Sequence, residues 1–166
     1  MVRIPAPAST HKKVVVLLLD GRSLQGYLNA ATLGRSNGVD LLTPAGEHKA
    51  IDSANIKSVC FVREFTDPFT VERKTFLSRP KLDGLWVRLR FRDEDVMEGI
   101  VGNNLLDLLD SGVQITPPDL HGNTLRMFVP RSALLEMKVL GVVGVARRTS
   151  QARARRVSAQ SKLFEP

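Results

Sequence analysis

Three histidines, one cysteine and a short acidic run are the side chains whose chemistry could make this chain more than a scaffold. Catalysis needs groups placed as nucleophile, base and orienter. His11, His48 and His121 are scattered, the first in an N-terminal arm and the other two in predicted hairpin loops, with no HExxH or paired-ligand spacing. Cys60 stands in SVCFV, an apolar run that predicts a strand, where a thiol is buried and inert. With no second cysteine, neither a disulfide framework nor a thiolate metal site is expected. Asp93, Glu94 and Asp95 could offer oxygens to a cation, but the run reads as a charged hairpin tip. The stretch GVVG, residues 141–144, is too short for a phosphate loop and reads as the end of the last strand. The sequence thus assigns no catalytic residue, no metal site and no cofactor, and the chain is expected not to be an enzyme.

The composition is that of a folded protein, because an apolar fraction of 43% with 25% charged residues supports a core and a solvated surface. The longest apolar runs, residues 14–19 and 139–145, fall well short of the roughly 20 residues that cross a bilayer. No membrane span is expected. The opening MVRIPAPASTHKK lacks the apolar segment of a secretory signal and reads as a disordered arm, so a cytoplasmic location is expected. The net charge of +7 is concentrated at one end. From Val145 onward Arg147, Arg148, Arg153, Arg155, Arg156 and Lys162 face one acidic residue, Glu165, a net of +5. The rest of the chain is close to neutral. This tail, rich in small residues, predicts disorder and offers a candidate surface for nucleic acid or an anionic surface.

The elements that would position any site are written twice. LLLDGRSLQG, residues 17–26, aligns without gaps with RFRDEDVMEG, residues 90–99, at an offset of 73. GVDLLTP, 38–44, matches GVQITPP, 112–118, at 74, and DSANIKSV, 52–59, matches PRSALLEM, 130–137, at 78. Each block reads as strand: 86–91 alternates apolar residues with Arg88 and Arg90, and 14–19 is uniformly apolar, as in a strand covered on both faces. Asp20-Gly21 signals a tight primed hairpin turn, whereas the corresponding 92–95, lacking glycine, is expected to turn differently. Gly26 and Gly99 fall inside second strands, where glycine marks a bend. The best helical stretches are 103–109 and 131–136. Between the copies, Phe65, Phe69, Val71, Phe76 and Leu77 are too numerous for a free linker and are expected to pack.

The fold class expected is therefore mainly β, a tandem repeat of two small five-stranded barrels with short helical turns. Its divisions are an arm at 1–12, a first barrel at 13–63, a packed linker at 64–84, a second barrel at 85–145 and the basic tail at 146–166. The segment DGRSLQGYLN, 20–29, resembles the first half of the Sm-like motif, and the short strands with a glycine kink resemble Sm-like and Src-homology-3-like barrels. The second copy, from Trp86 through NNLLDLL and GVQITPPDLHGNTLRMFVP, resembles a bacterial family of unknown function that occurs as small barrel modules. RLRFR, 88–92, with DLLDSG, 107–112, bears a resemblance to PilZ domains, which implies a cyclic dinucleotide sensor as a minor alternative.

The leading functional expectation is a non-enzymatic interaction or regulatory module that binds a protein partner. The alternative is a nucleic-acid-binding protein that uses the tail with a barrel face, and the scaffold is also compatible with a homo-oligomer. The partner surface is expected in the second copy, where residues 117–126 form a hairpin three to four residues longer than its counterpart. The candidate side chains are His121, Asn123 and Arg126, with Asn103 and Asn104 nearby.

Overall fold

The computed structural model describes residues 10–108 and 111–144, and its architecture is mainly β. The strands are β1 (His11–Leu18), β2 (Ser23–Asn29), β3 (Gly38–Leu42), β4 (His48–Asp52) and β5 (Ile56–Val62). After an extended linker come β6 (Gly84–Phe91), β7 (Val96–Val101), β8 (Gly112–Ile115), β9 (Thr124–Pro130) and β10 (Leu134–Val143). They form two open antiparallel sheets, one ordered β4-β3-β2-β1-β5-β9-β8 and the other β10-β6-β7. A single bridge between Ile100 and Thr116 links β7 to the chain leaving β8. Helix is slight, as composition and spacing lead one to expect. Among the described residues it comprises α1 (Leu105–Leu108) and three short 3-10 turns, including Ser53–Asn55 and Arg131–Ala133. The helical stretch expected at 131–136 ends after one turn, because Leu134 already belongs to β10.

Strand β1 shows why residues 14–19 read as uniformly apolar. Val14, Val16 and Leu18 enter a core with Leu28, Leu41 and Phe128, while Val15 enters a second core with Leu89, Met97 and Val129. Both faces of the strand are therefore buried, and the strand sits between the two cores. The linker packs through Phe65, Phe69 and Val71, and Phe76 meets Trp86 edge to face with ring centroids 6.3 Å apart. Leu77 departs from the expectation: it is 81% exposed.

The two kink glycines have the same cause. A Cβ on Gly26 would lie 2.5 Å from the carbonyl oxygen of Leu42, and one on Gly99 would lie 3.0 Å from Ile115. In each place the following strand crosses too closely for a side chain. The turns correct the sequence reading. Gly21 alone of the first turn has a positive φ, +91°, so the connection is a three-residue turn ending in a left-handed residue, not a primed two-residue turn. Residues 92–95 make the same turn. Gly21 N donates to Leu18 O and Glu94 N to Phe91 O, at 3.1 and 3.0 Å. Glu94 takes φ +67° without glycine's freedom. Glu94→Gly is therefore expected to stabilise the protein by about 1 kcal/mol, seen as a melting temperature a few degrees higher.

Candidate functional site

The hairpin joining β8 to β9 is held by its base. Pro117 and Pro118 are buried at its start. Asp119 closes the turn, its Oδ1 accepting from His121 N at 3.2 Å and its carbonyl oxygen from Gly122 N at 3.4 Å. Asn123 then grips the start of the linker with both ends of its amide: Oδ1 accepts from Glu64 N and Nδ2 donates to Glu64 O, each at 2.9 Å. Arg63 adds two bonds, from its backbone N to Asn123 O at 3.0 Å and from Nε to Gly122 O at 3.2 Å. The longer loop thus has a work of its own in the fold, which is to clamp the chain leaving β5.

The expected site residues separate accordingly. Arg126 stands opposite Phe61 of β5, with its guanidinium 4.3 Å from the ring centroid, a cation–π contact across the β5·β9 seam. His121 and Leu120 remain at the exposed tip. Asn103 and Asn104 are exposed and lead into α1, where Asn104 Oδ1 accepts from Leu106 N at 3.1 Å. The tail residues Arg147, Arg148, Arg153, Arg155, Arg156 and Lys162 lie outside the described residues.

A second cluster joins the two sequence copies and the linker. Lys57 Nζ reaches Asp93 Oδ2 at 2.6 Å and Asp95 Oδ2 at 2.8 Å, and Lys74 Nζ reaches Asp95 at 2.8 Å. The Lys57 ammonium also lies 5.0 Å from the ring centroid of Phe91. Asp93 and Asp95 are thus engaged by two lysines, and Glu94 pairs with Arg90 at 3.1 Å. Beside them opens a cavity of about 360 Å³ lined by Leu17, Phe91, Met97 and Met127. Burial works against charge on Lys57, yet the bonds to Asp93 and Asp95 outweigh it and raise its pKa. For Asp95 burial again opposes ionisation, and the two lysines prevail, lowering its pKa.

These shifts set two pH limits. A carboxyl depressed in the fold contributes stability that is present above its unfolded value and lost as pH falls through the folded one. A lysine raised in the fold contributes stability that is complete below its unfolded value and lost as pH rises through the folded one. Thermal stability is expected to be flat between, declining below about pH 4 and above about pH 10.5. Asp95→Asn should shallow both limbs in melting curves taken across pH.

The other chemical side chains are placed plainly. Cys60 is buried, and burial pushes its thiol up to about 12. His48 Nδ1 lies 3.3 Å from both carboxylate oxygens of Asp40 across the exposed β3–β4 hairpin. Arg88 and Arg90 of the RLRFR stretch face carboxylates, Arg88 with Glu98 at 3.7 Å and Arg90 with Glu94 at 3.1 Å.

One buried group escaped sequence reasoning. Glu98 is 6% exposed, and its Oε2 accepts from Trp86 Nε1 at 3.0 Å and from Phe76 N of the linker at 3.2 Å. The signal was available in the collinear blocks, where Glu98 aligns with Gln25, each directly before a kink glycine. Gln25 also holds the linker, donating from Nε2 to Thr66 O at 2.8 Å.

The profile of a family described as a family of unknown function (DUF6982) matches residues 10–141. No curated protein and no solved structure matches the chain.

Proposed function

The chain belongs to this family of unknown function, and from that premise we propose that it is a non-enzymatic interaction module, a tandem of two small Sm-like or Src-homology-3-like barrels that presents one hairpin to a protein partner. The strand registers support the tandem reading, since they recur at the offsets of the sequence blocks. Val16 pairs with Leu24 as Leu89 pairs with Met97. Gly38 pairs with Asp52 as Gly112 pairs with Pro130. Val16 pairs with Val59 as Leu89 pairs with Met137.

The observation that carries the interaction reading is the amide clamp of Asn123 on Glu64 beneath an exposed His121 and Leu120. A loop fixed at its base loses little entropy when its tip is engaged, which is the property a recognition loop needs. The second reading, nucleic-acid binding through the tail, is favoured by the concentration of +5 of the total +7 after Val145.

One experiment separates the two. The full chain, immobilised, is expected to capture a protein partner in equal yield with and without nuclease treatment of the lysate. A chain ending at Val145 should keep that capture. Capture that disappears with nuclease or with the tail would replace the first reading with the second.

A further inference from the structure

We propose that two copies of the chain join edge to edge through β10, antiparallel about a two-fold axis at Met137, into one continuous six-stranded sheet. The comparison of β10 with β5 rests on the tandem reading; the self-pairing itself does not. Strand β5 carries β1 on one edge and β9 on the other, and all but one of its residues are buried. Strand β10 holds the matching position, yet among the described residues it pairs only with β6. Leu135, Val139 and Val142 are left 45%, 56% and 49% exposed. An open strand of ten residues with apolar side chains is a template for another strand.

The charges choose the occupant. If β4 of a second copy repeated the β5·β9 register, in which Cys60 faces Met127, the offset of 78 would set Lys49 against Lys138. Like charges directly opposite each other on a sheet oppose pairing. Self-pairing centred on Met137 sets Glu136 of each copy against Lys138 of the other, Met137 against itself, and Leu135 beside Val139. The faces agree as well. Glu136 and Lys138 share the side of Arg90 and Arg88, while Met137 and Val139 share that of Leu89 and Val87. A two-fold axis normal to the sheet keeps each set with its own kind, as an isologous interface requires.

Sedimentation of the full chain tests this. The wild type is expected to be a dimer that dissociates on dilution. Glu136→Lys and Lys138→Glu should each weaken it about tenfold, because each sets like charges opposite one another twice. The double exchange, E136K with K138E, should restore the wild-type constant. Because Lys138 Nζ also lies 3.4 Å from Glu136 Oε1 within the strand, the single variants are compared at matched melting temperature, and weakening that merely follows a lost melting temperature would overturn the charge assignment. Met137→Cys should form a disulfide-linked dimer on oxidation, with no background from buried Cys60. A wild type monomeric at its highest soluble concentration, a dimer indifferent to the charge exchange, or larger assemblies strengthened by Lys49→Glu would each overturn the proposal.

Discussion

Phe91→Ala is expected to cost about 3–5 kcal/mol and to melt both halves of the protein together. Phe91 is among the largest fully buried side chains, at 1% exposure. Its core takes Val15, Cys60 and Val62 from the N-terminal strands and Leu89, Met97 and Val129 from the C-terminal ones. The cavity left by the ring would therefore face residues from both halves, and the Lys57 ammonium above it would lose its aromatic partner. For a protein of this size such a loss is a large part of the total stability. Phe91→Leu, which keeps most of the volume, should cost much less. Hydrogen exchange is the check: amides of β1 and of β6 should lose protection in parallel. Retention of full protection in β1 and β2 while β6 opens would mean that the halves are energetically separate.

Glu98→Ala should cost about 2–3 kcal/mol, because it leaves Trp86 Nε1–H and the Phe76 amide without their acceptor in a buried setting. Glu98→Gln keeps an acceptor oxygen and should recover part of the loss. Trp86 is the only tryptophan, so its fluorescence reports the site directly. The urea midpoint should fall and the native emission should move to longer wavelength as the linker loosens over the ring. A change within about 0.5 kcal/mol would place Glu98 among ordinary surface residues.

The strands were legible in the sequence because each follows a local pattern, whereas the β5·β9 pairing that draws strands of both halves into one seven-stranded sheet was not. The alternation in β6, the apolar run of β1 and the glycines before crossing strands each report a neighbour that the chain must meet. Turn geometry was less legible. At Glu94 the hairpin imposes a left-handed residue on a side chain that does not favour it, so the missing glycine misled. At the 117–126 hairpin the length was legible and the bonding was not. The extra length of the 117–126 hairpin was visible, but Asn123 looked like a surface group because its partner, the Glu64 backbone, lies 59 positions away. Long-range bonds to backbone leave no trace in residue type. The same holds for Lys57, whose two carboxylates come from a turn 36 and 38 positions on.

The most direct measurement of the interaction reading separates the hairpin's tip from its base. Leu120→Ala with His121→Ala alters only exposed side chains and should leave the melting temperature within a few degrees of wild type. Capture of the partner found with the immobilised full chain should then fall at least tenfold in the same titration. Asn123→Ala, which releases Glu64, should instead lower stability by about 1–2 kcal/mol. Undiminished capture by a fully folded double variant would contradict the account, since the one surface it assigns to the partner would then be idle.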